Sequence, residues 1–180
     1  MSVTTMFDRM RRDHQNVLER VAALERGVLR TPRDAGPVAS DPERDRALLD
    51  LVAHLERQFA THMAGEDQVL FPQLSPLLPQ GDAALEPLRA DHEELRAMLA
   101  RLQNTLKQPA GAARDEEIGV QARDLVDLLR LHIRKEEIVL GVAERVLTPP
   151  EIEALDRSIR ALPELPTPSG RPRSRPGGRT

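Results

Sequence analysis

The stretch of sequence that decides the fold is HMAGEDQVL, residues 62–70, in which a histidine is followed four positions later by a glutamate and then by a second acid. A related stretch, HIRKEEIVL, occupies residues 132–140. Each stretch is preceded by an Asp-His pair, at residues 13–14 for the first and 91–92 for the second. The chain therefore contains an internal repeat, and four of its five histidines lie in it.

The spacing of the repeated motif predicts that its polar residues share helix faces with the apolar core. Residues four positions apart lie on the same face of an α-helix, so His62 and Glu66 should present an imidazole and a carboxylate one turn apart. His132 and Glu136 should do the same. Apolar residues recur at helical spacing through four long segments, and the motif residues lie on these apolar stripes. We therefore expect the repeated histidines and glutamates to point into the interior of a helical protein.

Composition favours a helical domain with an aliphatic core. The chain has 180 residues, of which 39% are hydrophobic and 31% are charged. This length and composition suit one globular domain. Aromatic residues make up only 2% of the chain. The core must therefore consist of aliphatic side chains, which suit helix packing better than sheets.

The charge and the missing cysteines exclude several classes of function. A formal net charge of −3 gives no overall attraction to nucleic acid or to a membrane surface, so we expect neither as a partner. No apolar run is long enough for a membrane span. The absence of Cys excludes disulfides, thiolate metal sites and cysteine nucleophiles, and it fits a cytoplasmic protein.

The breaks between the apolar stripes predict the domain organisation. We expect an all-α fold in which an up-down-up-down four-helix bundle occupies residues 1–147. A short fifth helix should follow within residues 148–162, and a Pro/Arg-rich tail at residues 163–180 should be disordered. Pro87 indicates that the third helix begins near Glu86. The connecting segments, rich in Pro, Gly and polar residues, are 31–42, 71–82, 108–111 and 148–151.

The chemistry of the repeated residues favours a site for two metal ions. Buried ionised carboxylates are costly unless they are paired or bound to metal, and no protein cation lies on the stripes to neutralise these two. Nitrogen and oxygen ligands without sulfur suit iron, manganese or zinc, and carboxylates favour the harder, oxidisable metals. The six expected ligands are His14, His62, Glu66, His92, His132 and Glu136.

The internal symmetry also suggests how these ligands divide between two metals. One metal would take His14 and His62, and the other would take His92 and His132. The two glutamates would bridge the metals, which leaves open positions for water, hydroxide, oxygen, peroxide or nitric oxide.

This pattern resembles the hemerythrin-like, or HHE cation-binding, family. The resemblance covers residues 3 to 147 and rests on Asp-His in helices one and three and on His-x-x-x-Glu-acid in helices two and four. It implies a four-helix bundle that holds a non-haem di-iron centre, two iron ions per chain with an oxo or hydroxo bridge. It also implies that the six residues named above are the iron ligands.

Two departures from the oxygen-carrying members of that family bear on function. Those proteins have a second histidine in helix three, four residues after the first, where this chain has Arg96. Their fourth helix carries His-x-x-x-x-Asp, where this chain has His-x-x-x-Glu. The second iron would lack one imidazole, and this favours a more open, redox-reactive or sensing site over reversible oxygen storage.

Other metal-site patterns do not fit. The ferritin-like di-iron fold carries Glu-x-x-His, but no histidine of this chain has an acid three residues before it. The His-Glu-x-x-His zinc protease motif is also absent.

The expected metal site leads to two hypotheses about function. In the first, the protein binds or reacts with oxygen, peroxide or nitric oxide in a response to oxidative or nitrosative stress, with catalase-like activity as one form. The chain has no Tyr, Trp or Cys to relay electrons, so turnover would need an outside reductant or peroxide in both roles. In the second, the protein is a non-enzymatic iron or oxygen sensor or store that a protein partner reads.

Residues beside the expected ligands receive weaker assignments. His54 is expected to be a partly buried helix residue, and Gln58 either lines the ligand pocket or donates an outer hydrogen bond. Gly65 either gives room for a close approach to the ligands or is a tolerated surface residue. The acids next to the ligands are expected to form surface ion pairs or to orient residues locally; these are Asp13, Asp67, Asp91 and Glu137.

Overall fold

The computed structural model describes residues 5–27, 42–78 and 80–161, and this part of the chain is helical without a strand. The expectation of an all-α fold is therefore confirmed for the described residues. The main helices are α1 (Met6–Gly27), α2 (Pro42–Gln58), α3 (Phe71–Leu74), α4 (Glu86–Leu106), α5 (Ala112–Val146) and α6 (Pro149–Arg160).

The second long segment is longer than the sequence predicted and is not uniformly α-helical. After α2 it continues through two π-helical turns, Phe59–Met63 and Glu66–Leu70, and then through the four residues of α3. The predicted break at residues 71–82 therefore begins too early. Proline is tolerated in the first turn of an α-helix, and the change from π to α hydrogen bonding at Phe71 places Pro72 in such a turn.

The other predicted helix boundaries agree with the structure. The helix after Pro87 begins at Glu86, and the break at residues 108–111 separates α4 from α5. The short fifth predicted helix is α6, which begins with a capping box. In this box the backbone N–H and the hydroxyl of Thr148 donate to Oε2 of Glu151, at 2.7 and 2.6 Å.

The four long segments pack in a closed order. The first helix contacts α2 and α5, α2 contacts α4, and α4 contacts α5. This arrangement is consistent with a four-helix bundle. The last helix, α6, lies against α1 and against the second π-helical turn, so it covers one end of the molecule.

Two apolar clusters fill the interior, and the repeated motif lies between them. The larger cluster includes Val17, Leu95 and Leu129, and the smaller one, under α6, includes Met10 and Leu88. Each of the four long segments therefore passes from one cluster to the other through a polar layer. In α1 this layer contains His14, between Met10 and Val17, and the other long segments place their motif residues in the same way.

Parts of the prediction lie outside the described residues. These are the connection at 31–41 and the tail at 163–180, and the division into domains stays a prediction. Within the helices that are described, no stretch has both the length and the apolar character that crossing a membrane requires.

Candidate metal centre

The structure brings all six expected ligands together in the polar layer. We call the part of the site around His14 and His62 its first half and the part around His92 and His132 its second half. In the first half, Nε2 of His14 lies 3.0 Å from Oε2 of Glu136, and Nε2 of His62 lies 3.0 Å from Oε1 of Glu66. In the second half, Nε2 of His92 lies 3.3 Å from Oε2 of Glu66. These contacts join α1, the π-helical turns, α4 and α5 at one point.

Both glutamates face both halves of the site. Glu66 directs one carboxylate oxygen to His62 and the other to His92. Oε2 of Glu136 lies 3.0 Å from Nε2 of His14 and 3.5 Å from Nε2 of His132. Glu66 thus presents a different oxygen to each half, and Glu136 reaches both halves through the same oxygen, Oε2.

Two overlapping groups of donors could each hold a metal ion. One consists of His14, His62, Glu66 and Glu136, and the other of Glu66, His92 and His132, with the donor atoms of each group within 4.8 Å of one another. Each group contains one pair of histidines, and the pairs are those that the repeat predicted.

The burial of the carboxylates tests whether a cation fits. Glu66 and Glu136 are 0% exposed, and none of their four carboxylate oxygens makes a hydrogen bond of good geometry, although imidazole nitrogens lie 3.0 to 3.7 Å away. Buried ionised groups without such partners are costly, and a bound cation removes that cost. The Nε2 atoms of His14 and His62 are also only 3.1 Å apart, so a proton or a metal ion must lie between their lone pairs. The residues therefore fit a cation at this place.

In the absence of metal, protons take over part of this role. Burial lowers the pKa of His92, but Asp67 and Glu66 outweigh it and raise the pKa to about 9. Burial also lowers the pKa of His62, and the two glutamates raise it well above the ordinary value. Burial raises the pKa of Glu136, but its contacts with Glu66 and the imidazoles hold that pKa well below its usual range. Imidazolium groups thus neutralise the carboxylates until a metal displaces their protons.

The π-helical turns position two of the expected ligands. The sequence did not indicate these turns. His62 lies in the first turn and Glu66 opens the second. An i→i+5 turn widens the helix locally, and such turns are frequent at functional sites. Gly65 lies between these two residues and is buried, so the interpretation of this glycine as a surface residue is wrong.

Acids outside the donor groups contact the outer nitrogens of the histidines. Oε1 of Glu137 lies 2.8 Å from Nδ1 of His14, and Oδ1 of Asp67 lies 2.9 Å from Nδ1 of His92. A carboxylate can only accept, so Nδ1 carries the proton in both pairs. From the sequence we expect these acids to form surface ion pairs or to orient residues locally. The sequence does not indicate that each acid reaches a histidine of another helix.

The remaining two acids face the remaining two histidines at longer range. Oδ2 of Asp91 lies 3.5 Å from Nδ1 of His132, and Oδ2 of Asp13 lies 3.9 Å from Nδ1 of His62. Each acid thus faces the histidine of the next long segment along the chain, and the last acid, Glu137, faces the first histidine. We call these four acids the acid ring; its members are Asp13, Asp67, Asp91 and Glu137.

Basic side chains hold three members of the acid ring from outside. Asp67 accepts from Arg96 at 3.1 Å, and Asp91 accepts from Lys135 at 2.8 Å. Arg11 lies 3.2 Å from Glu137. Arg96, which replaces the second helix-three histidine of oxygen carriers, therefore binds the acid that contacts His92.

Two cavities reach the donor groups. One of about 30 Å³ has largely apolar walls that include Val17 and Leu129, and Gln58 also lines it beside His14, as the sequence suggested. A larger one of about 160 Å³ opens at Glu66 and His62, with further walls from α1, Gly65 and α6. His54 lies outside both donor groups and lines a surface groove, in agreement with its weak assignment.

The sequence of the chain matches a family of cation-binding domains. The family model described as the hemerythrin HHE cation binding domain matches residues 5–143 of the chain. A search of curated proteins found no match. From the length of the family match, which covers both copies of the repeated motif, the chain belongs to the hemerythrin HHE cation-binding domain family.

Proposed function

We propose that the protein is a non-haem di-iron protein that binds or reacts with oxygen, peroxide or nitric oxide. The six ligands would be His14, His62, Glu66, His92, His132 and Glu136. Four long helical segments would carry them as an up-down-up-down four-helix bundle. The observation that carries the proposal is that two fully buried glutamates each face imidazoles of both halves of the site.

The preference for iron rests on the donor set together with the family. Four imidazole nitrogens and two carboxylates, without sulfur, suit iron, manganese or zinc, and the family resemblance favours iron among these. Bound iron would supply the change of valence that side chains without Tyr, Trp or Cys do not provide. The protein side chains bind the metals, fix the imidazoles and exclude bulk water.

The smaller of the two cavities supports a small ligand. The space of about 30 Å³ beside His14 and His62 holds about one water-sized molecule. Its other walls include apolar side chains such as Val17 and Ile133, which suit a diatomic gas. Gln58 is the amide that lines this cavity and could donate a hydrogen bond to such a ligand.

The experiment compares three forms of the chain: iron-loaded, metal-free and iron-loaded His54→Ala. Peroxide consumption and nitric oxide binding are followed by absorption spectroscopy under anaerobic and aerobic conditions. We expect reaction in both loaded forms and none in the metal-free form. A loaded protein that binds iron and gains stability, yet neither binds nor turns over these molecules, would instead indicate the iron sensor or store. A protein that takes up no iron would contradict both readings.

A further inference from the structure

The acid ring points to a role for residues that the ligand motif does not include. We propose that Glu137 and Asp67 are positioning residues of the metal centre, each holding a ligand histidine of another helix with Nε2 turned to the metal. Asp91 and Asp13 complete the ring with weaker effect. This inference rests on the proposed function, because the residues act only through histidines that bind metal.

The two ring nitrogens of each imidazole have separate partners. In His14, Nδ1 lies 2.8 Å from Glu137 and Nε2 lies 3.0 Å from Glu136. In His92, Nδ1 lies 2.9 Å from Asp67 and Nε2 lies 3.3 Å from Glu66. An imidazole that donates Nδ1–H to a carboxylate keeps its Nε2 lone pair for a metal, and the hydrogen bond also fixes the plane of the ring.

The two hydrogen-bonded histidines belong to different halves of the site. His14 lies in the first donor group and His92 in the second, so each metal position has one histidine with a short outer hydrogen bond. The second histidine of each group faces its acid at 3.5 Å or 3.9 Å. The lengths predict that Glu137 and Asp67 matter more than Asp91 and Asp13.

The positioning acids are themselves held in place. Arg96 donates to Oδ2 of Asp67, which leaves Oδ1 for His92. Arg11 contacts Oε2 of Glu137, which leaves Oε1 for His14. Charge-assisted contacts of this kind fix the position of the carboxylate. The carboxylates therefore present a constant acceptor to the imidazoles.

The chain order couples the ring to assembly of the whole site. Glu66 and Asp67 are adjacent, so one turn supplies a carboxylate to the donor groups and the next residue to His92 of α4. Glu136 and Glu137 are adjacent in α5 and serve α1 in the same way. A shift of either segment would move a glutamate of the donor groups and, with it, the acid that contacts the histidine of another helix.

The test measures metal affinity with Co²⁺ as the probe, on the full chain. Glu137→Ala and Asp67→Ala should each weaken Co²⁺ binding about 10–100-fold, the usual effect of losing an outer partner of a metal-bound histidine. Glu137→Gln and Asp67→Asn should recover part of the affinity, because an amide oxygen still accepts from Nδ1–H. The control is Glu144→Gln, which removes an acid that also pairs with Arg11 but contacts no histidine. This control should bind like wild type.

Two further measurements separate positioning from general stability. The metal-free alanine variants should melt below the metal-free control, because they lose their contacts with His14 and His92, so the comparison is the increase in melting temperature that Co²⁺ produces. This increase should be smaller than in the control, and the visible Co²⁺ spectra of the alanine variants should differ from wild type. Equal Co²⁺ affinity and an unchanged spectrum in both alanine variants would overturn the positioning role and leave the proposed function standing. A wild-type chain that binds no Co²⁺ and no iron would overturn the proposed function itself.

Discussion

The Nδ1 atom of His14 in α1 lies 2.8 Å from Oε1 of Glu137 in α5, although the two residues are 123 positions apart in the sequence. Glu137 follows the ligand Glu136 directly, so neighbouring residues turn to different parts of the site. Glu136 faces inward to the donor groups, and Glu137 supports a histidine of another helix. The site is therefore assembled by contacts between helices, and the two short outer contacts, His14–Glu137 and His92–Asp67, each join one motif copy to the other.

Removal of one ligand from each half of the site should abolish metal binding. We expect His62→Ala and His132→Ala together to lose iron and to lower the melting temperature of protein that has been offered iron, since bound metal stabilises the folded chain. Metal content and thermal unfolding check this prediction. His54→Ala is the matched control, and it should keep its iron. Unchanged or increased stability with iron retained in the double variant would show that these imidazoles are only core residues.

Metal uptake should release protons at about pH 7, because metal must displace protons from imidazoles. The direction follows from the pKa of His92, which Asp67 and Glu66 raise to about 9 against the lowering effect of burial. Metal affinity should therefore increase as pH rises from about 6 to 9 and the imidazoles lose their protons. Titration calorimetry with Zn²⁺ in two buffers of different ionisation enthalpy measures the release. Identical enthalpies in both buffers would contradict it.

The packing of α6 should contribute to stability through Leu155. This residue is fully buried in the smaller apolar cluster. Leu155→Ala should therefore cost about 2–5 kcal/mol in free energy of unfolding. Leu131→Ala, at a leucine that is 49% exposed, is the control and should cost far less. Denaturant unfolding of both variants gives the comparison, and equal losses would mean that α6 does not pack as described.

Filling the smaller cavity should slow reactions with small ligands without loss of metal. Val17→Leu adds volume at the wall of the cavity beside His14 and should reduce the rate of peroxide reaction or nitric oxide binding. Val21→Leu is the control, since Val21 is buried in the same core but does not line the cavity. Val21→Leu should be destabilised by about 1–3 kcal/mol from overpacking, and Val17→Leu by less because its added carbon enters the cavity. Equal rates in the two variants, measured by stopped-flow absorption, would argue against this cavity as a ligand site.

The sequence predicted the residues of the donor groups because their positions follow from helix geometry. His62 with Glu66 and His132 with Glu136 share a face at a spacing of four, and their apolar flanks identify that face as the buried one. The internal repeat then indicated that the two halves belong to one site. The apolar spacing also placed α4, α5 and α6 correctly, helped by proline at the start of α4 and α6.

The acid ring and the π-helical turns could not be read from spacing in the same way. Whether Asp67 reaches His92 depends on how two helices are rotated against each other, and a helical period in one segment carries no such information. The π-helical turns around His62 change hydrogen bonding by one residue, and Gly65 was the only local hint of irregularity. Pro72 suggested a break because the turn that accommodates it was not foreseen.

The proposed function requires that the two overlapping donor groups hold two iron ions. We would test this by the metal content per chain of protein purified without added metal and without chelator, measured by elemental analysis against protein concentration. We expect about two irons per chain, lost when His62 and His132 are replaced by Ala and retained when His54 is replaced. A folded protein that contains no metal and takes up no iron when offered it would contradict the di-iron site.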